Sequence, residues 1–197
     1  VIQESGAKAI ENGMSIEVLF DQLKSLRTTS NIPVVLMGYM NPVLQYGFEK
    51  FCADAAAVGI DGLILPDLPP LEFEQSHGAI VKKHALDFIF LVTPETSEER
   101  VRKLDGLSSG FLYAVSSSST TGKEKNFDDV IAYLKRLRSY QLNNPVLVGF
   151  GIKDKETFGA VTPFANGAII GSAFIKALSS GENPDAVTKE FIRAVLN

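Results

Sequence analysis

The 197-residue chain holds a single cysteine, Cys52, which excludes an intrachain disulfide and suits a reducing compartment. It has no cluster of lysine and arginine: 19 basic residues stand against 23 acidic ones, for a formal net charge of −4. The basic footprint of a nucleic-acid binder is therefore missing. No apolar run approaches the roughly 20 residues that span a bilayer, and no signal-peptide pattern opens the sequence. There is no metal constellation, no GxGxxG fingerprint and no nucleophile elbow. His77 and His84 read as surface residues of one helix without a ligand partner, and Cys52 reads as core. What is present is an ordinary globular composition, 45% hydrophobic, 9% aromatic and 21% charged. The expectation is one cytoplasmic domain over residues 1–197, with neither membrane nor nucleic acid as partner.

Six near-continuous apolar runs read as strands buried on both faces of a parallel sheet: Pro33–Tyr39, Gly62–Asp67, Asp87–Thr93, Gly110–Ser116, Pro145–Gly151 and Gly167–Gly171. Helical patterns separate them. Ser15 caps a helix whose stripe is Ile16, Leu19, Phe20, Leu23 and Leu26. A second runs from about Gly47 to Val58 and stops at Gly59. Thr96 and Glu99 are expected to form a capping box for the helix with Val101 and Leu104. Asn126 precedes a helix with Val130, Ile131, Leu134 and Leu137 inward, and Asp154 caps one carrying Phe158 and Val161. Pro184 opens the last, with Val187, Phe191, Ile192 and Val195 inward.

Some six βα units fit an open doubly wound sheet or part of a (β/α)8 barrel. The barrel is favoured because the sequence begins on a helix-like stretch, not on a strand. A complete barrel takes typically about 250 residues, so the first two βα units are expected to lie outside these residues.

Two glycine-bearing turns stand out. Gly149-Phe150-Gly151 follows the penultimate strand, and Gly171-Ser172 follows the last and opens a helix at Ala173–Leu178. Glycine lets backbone N–H groups approach an anion, and phosphate sites of such barrels commonly lie after the last two strands. Glycine needed only for tight turns is the alternative. Neither turn holds a lysine, so main-chain amides would do the binding, which suits a phosphomonoester. Ser116–Asn126 reads as a mobile lid or as a solvated loop. Tyr113 could set a hydroxyl over a ligand or be core, and Tyr39 shares that ambiguity. Asp67, at a strand end in LPDLPP, is the best-placed carboxylate, although turn capping is the commoner use of Asp there.

The runs Val1–Gln3 (VIQ), Val35–Pro42 (VLMGYMNP), Leu63–Glu72 (LILPDLPPLE), Leu91–Thr96 (LVTPET), Tyr113–Gly122 (YAVSSSSTTG), Val148–Ile152 (VGFGI) and Gly167–Ala173 (GAIIGSA) occur in one order across the whole chain. In this the sequence resembles the alpha subunits of tryptophan synthase. The resemblance implies a (β/α)8 barrel and a lyase of tryptophan biosynthesis that cleaves indole-3-glycerol phosphate to indole and glyceraldehyde 3-phosphate. It implies a beta-subunit partner in an α2β2 heterotetramer, with pyridoxal phosphate in the partner and no cofactor in this subunit. The positions matching the family's phosphate site are Gly122, Gly149, Phe150, Gly151, Gly171 and Ser172. Thr121 matches a lid threonine and Tyr113 a tyrosine beside the substrate. Met37, Tyr39 and Ile64 match the indole pocket, and the turns Tyr39–Gln45 and Asp67–Glu72 match those facing the beta subunit. The family's acid–base glutamate and indole-binding aspartate match positions ahead of Val1, so no catalytic carboxylate is expected within these residues. A chain truly starting at Val1 is expected to be inactive. Pro66, where some members carry alanine, is expected to narrow the indole pocket. The alternatives are another phosphate-binding barrel aldolase or isomerase, and a catalytically dead fragment that only binds a partner subunit.

Overall fold

The apolar runs become short parallel strands with helices between them. The computed structural model describes residues 1–115, 127–149, 151–181 and 183–196. The chain opens with helices α1 (Ile2–Glu11), α2 (Ile16–Leu23) and α3 (Leu26–Thr29). Strand β1 (Val35–Met37) leads to α4 (Met40–Tyr46) and α5 (Phe48–Ala57), and β2 (Gly62–Ile64) leads to α6 (Pro70–Glu72). A π-helical turn at Phe73–His77 then runs into α7 (Gly78–Lys83). Next come β3 (Asp87–Phe88), β4 (Leu91–Val92), α8 (Glu98–Leu107), β5 (Leu112–Val115) and α9 (Phe127–Ser139). The C-terminal part is β6 (Val146–Gly149), α10 (Lys155–Val161), β7 (Gly167–Ala168), α11 (Ser172–Leu178) and α12 (Pro184–Leu196).

All recorded strand pairs are parallel, in the orders β1-β2-β3 and β4-β5-β6-β7. The expected single strand Asp87–Thr93 is broken at Ile89-Phe90, where it passes from one neighbour to the next. Ile89 N still donates to Leu63 O on the β2 side (3.0 Å), while Phe90 O accepts from Tyr113 N on the β5 side (3.0 Å). Strand β5 begins too late to reach the start of this run. Two serines fill the gap: Ser109 Oγ accepts from Phe88 N and Ser108 Oγ from Phe90 N, each at 3.1 Å.

Burial on both faces holds for β2, whose three residues are all buried. It does not hold for β5 and β6, which alternate. Leu112, Ala114, Val146 and Val148 join a continuous core with Leu134 and Leu137 of α9. The other face, carrying Tyr113, Val115, Leu147 and Gly149, is half-buried. Phe73, Phe88 and Phe90 knit the β2–β4 side together, with ring centroids 4.4 to 5.2 Å apart.

Several helix ends follow the sequence signals. Ser15 Oγ accepts from Val18 N, and Asp154 with Thr157 forms a full capping box. The stretch 40–57 is two helices rather than a turn followed by one helix, because Gly47 turns the backbone to φ +97° between them. Gly59 does end α5, at φ +86°, and the Arg27 guanidinium fastens α3 there by donating to Gly59 O. The expected Thr96–Glu99 box is absent. Thr96 Oγ1 is already occupied by Thr93 N (2.9 Å), and Ser97 caps α8 instead, accepting from Arg100 N. On α12 the inward face is Val187, Phe191 and Val195 at i, i+4 and i+8, so Ile192 turns outward and is half exposed. His77 and His84 are half-buried, and His84 Nε2 is buried without a hydrogen-bond partner.

Ala85 closes α7 at φ +54°. A Cβ in this left-handed region costs about 1–2 kcal/mol, and glycine's extra chain entropy offsets roughly 0.5–1 kcal/mol of the relief. Ala85→Gly is therefore expected to stabilise by about 0.5–1 kcal/mol and to raise Tm by about 1–4 °C. A lower Tm in a thermal melt would contradict the strain.

Candidate active site

The candidate phosphate end is built by three neighbouring strands in register. Leu112 to Val115 pair with Val146 to Gly149, and Leu147 and Val148 pair with Gly167 and Ala168. Ile169 N extends the second ladder to Val148 O at 2.8 Å. The chain therefore leaves β6 at Gly149 and β7 at Ile169–Gly171 from the same end, on adjacent strands. Gly149 and Gly171 therefore follow neighbouring strands at the same end, with Gly151 and Ser172 just beyond them in the chain. Thr121, Gly122 and Phe150, with the segment Ser116–Asn126, lie outside the described residues.

Each glycine has a distinct reason to be there. A Cβ on Gly149 would stand 2.5 Å from Tyr113 Oη, 2.7 Å from Cε2 and 3.0 Å from Cζ, so only glycine lets the tyrosine ring cross this strand end. Gly151 adopts φ +63°, a left-handed turn open to glycine. Gly171 sits at the N-cap of α11 and provides no side-chain cap, leaving the first amides of that turn, Ser172 among them, to an outside acceptor. Around Gly151 and Gly171 an added Cβ would meet nothing within 4 Å. Burial pushes the Tyr113 phenol above its usual pKa, so at neutral pH it is a neutral hydroxyl able to donate.

The candidate indole-facing residues sit at the same ends of β1 and β2. Met37 pairs with Ile64 across the two strands. Ile64 is buried and Met37 exposed, and Tyr39 is 68% exposed at the N-cap of α4. Asp67, the strand-end carboxylate, caps not its own turn but the first amide of α4: Met40 N donates to both of its oxygens, at 2.9 and 3.0 Å. Sequence spacing held no signal for this partner, 27 residues away. It also missed Asp105, the one buried charged residue among those described. Burial pushes the Cys52 thiol up to about 12, which leaves it protonated and unreactive at neutral pH. Among the described residues no three His, Cys, Asp or Glu side chains gather where they could hold a metal ion, and no helix is long and apolar enough to cross a membrane.

A family model described as tryptophan synthase alpha chain matches residues 1–195. The chain belongs to the tryptophan synthase alpha chain family. It is 47% identical to the tryptophan synthase alpha chain of Parabacteroides distasonis over 196 residues, which is 99% of this chain and 76% of that relative. With the alpha chain of Flavobacterium johnsoniae it shares 50% identity over 192 residues, 97% of this chain and 75% of the relative. The solved alpha subunit of Pyrococcus furiosus superposes with a TM-score of 0.88 at 32% identity, covering 99% of this chain and 79% of that one. A chain from the α2β2 tryptophan synthase complex of the same organism gives a TM-score of 0.88 at 33% identity, with the same coverage. The parallel strands with their enclosing helices are thus part of the (β/α)8 barrel of this family.

Proposed function

We propose that the chain carries the phosphate-binding rim and the indole-facing wall of a lyase acting on indole-3-glycerol phosphate, within a single barrel domain. The observation that carries this reading is the Gly149–Tyr113 crossing at the end of β6, followed by Gly151 and neighboured by Gly171-Ser172 after β7. Such a rim offers main-chain N–H groups to a phosphate dianion without a cationic side chain. Gly122 and Phe150 complete the proposed phosphate set, and Thr121 is the proposed lid residue supporting the catalytic carboxylate.

In the retro-aldol step the bond between the indole ring carbon and the neighbouring carbinol carbon breaks. The carbinol hydroxyl gives up its proton and becomes the aldehyde of glyceraldehyde 3-phosphate, while the ring carbon takes a proton to give indole. The residues here hold the two ends of the molecule: the glycine rim fixes the phosphate, Tyr113 offers a hydroxyl beside it, and Met37, Tyr39 and Ile64 wall the ring. Holding both ends of a substrate is worth several orders of magnitude in rate. The proton-transferring carboxyls implied by the family resemblance fall ahead of Val1. Pyridoxal phosphate belongs to the beta partner, and the subunit itself is proposed to be cytoplasmic and to need no cofactor.

A Schiff-base aldolase would need a lysine at an inner strand end, and none of the residues of β1–β7 is a lysine. The test is indole release from indole-3-glycerol phosphate by the full-length gene product with its beta chain. Steady indole formation, inhibited competitively by glycerol phosphates, is expected. No indole would overturn the assignment.

A further inference from the structure

Helix α4 starts without a cap of its own. Its N-cap residue is Tyr39, which makes no side-chain cap bond, although Ser, Thr, Asn or Asp normally satisfies a first-turn amide. That amide is served from another loop: Met40 N donates to both oxygens of Asp67. The bond closes a clasp between two strand ends. Met37 and Ile64 are partners across β1 and β2, Gly38 N donates to Ile64 O (3.1 Å), and three residues beyond the paired positions Met40 and Asp67 meet.

The loop holding the carboxylate is stiff. Leu68 N donates to Leu65 O at 3.1 Å, a turn with Pro66 second and Asp67 third. Proline presets the backbone at that second position. Leu68 is buried on the far side, and Pro69 and Pro70 follow it. Pro66 itself is exposed, so its place in the structure is at the head of this turn. With the cap supplied from Asp67, position 39 is free to be an exposed aromatic. Tyr39, Leu44 and Leu71 are 68%, 54% and 59% exposed, and the Asp67–Met40 bond ties together the two segments that bear them.

We propose that Asp67 is a positioning residue that couples the indole-facing wall to the surface offered to the beta chain. By holding Met40 N it sets the path of Met37–Met40 and the placement of the Tyr39 platform in one contact. Pro66 aims it. This rests on the lyase reading above for the identity of ring and partner.

The test uses the full-length chain and its beta chain with three variants: Asp67→Ala, Asp67→Asn and Pro66→Ala. Beta-chain affinity is measured without substrate, KM and kcat for indole-3-glycerol phosphate in the complex, and affinity for inorganic phosphate on the isolated subunit. Asp67→Ala is expected to weaken beta-chain binding roughly five- to tenfold, the order of one lost helix cap, and to raise KM similarly, with inorganic phosphate affinity unchanged. Asp67→Asn keeps a carbonyl oxygen on Met40 N and should restore most of both, and Pro66→Ala should fall between wild type and Asp67→Ala. Wild-type beta-chain affinity in Asp67→Ala overturns the proposal. So does a loss of phosphate affinity as large as the change in KM, which would mean general loosening. If the wild-type pair makes no indole, the lyase reading fails separately, while the binding measurement still decides whether Asp67 shapes the docking surface.

Discussion

Gly149→Ala is expected to abolish most indole formation by the full-length enzyme and to cost about 1–3 kcal/mol of stability, as overpacking of a fitted site does. The new methyl would stand 2.5 Å from Tyr113 Oη and 2.7 Å from Cε2. Nor can the strand yield, because Gly149 is held in register with Val115 on one side and follows the Val148–Ala168 pair on the other. The ring must therefore leave, and on the proposed reading it loses its place beside the substrate. A displacement of about 1 Å at a positioning group costs on the order of 100-fold in rate. Two double variants separate contact from chemistry. Gly149→Ala with Tyr113→Phe removes the oxygen but leaves the ring edge in the way, so it should recover little stability. Gly149→Ala with Tyr113→Ala removes the ring and should recover Tm, but not turnover. Wild-type turnover in Gly149→Ala would show that the glycine is only a turn residue.

How much of this was legible in the sequence depends on the distance over which the cause acts. The strand runs, the Ser15 and Asp154 caps and the glycine turns are local, and they appear at or near the expected positions. Errors arose where one residue had two possible partners. Thr96 has the sequence pattern of a helix cap because a glutamate stands three positions on, but Thr93 N, at the end of β4, takes its hydroxyl first. The run 87–93 has the apolarity of one strand, and apolarity does not report that its neighbour begins late and that Ser108 and Ser109 must supply the missing acceptors. Residues acting over long separations left almost no signal. In sequence Asp67 is only a carboxylate at a strand end, and its target amide exists only in three dimensions. Met37 and Ile64 are unremarkable apolar residues in local pattern; only the resemblance proposes them for the indole wall, and their pairing across two strands exists only in three dimensions.

Asp105→Ala should be strongly destabilising although it lies away from the active site. The Asp105 carboxylate is buried in α8 and accepts from Asn143 N (2.7 Å), Asn144 N (3.0 Å) and Asn144 Nδ2 (2.9 Å). Alanine would leave these three donors without that acceptor, although Asn144 Nδ2 keeps Asp105 O (2.8 Å) and Ser108 O (3.2 Å). Two part-buried backbone donors lose a charged acceptor, at about 1–2 kcal/mol each, so a total of about 2–4 kcal/mol and a Tm drop of roughly 4–16 °C are expected. The site matters because the Asn143-Asn144 turn leads directly into Pro145, whose carbonyl accepts Leu112 N (2.8 Å), and then into β6. Holding this turn fixes the start of the strand whose far end is Gly149. Asp105→Asn should recover less than half of the loss, because its new NH2 must face a backbone donor. Breaking the exposed Glu98–Arg102 pair on the same helix, with both side chains about half exposed, should change stability by less than about 1 kcal/mol. If thermal melts gave both variants the same small shift, the carboxylate would not be what anchors β6.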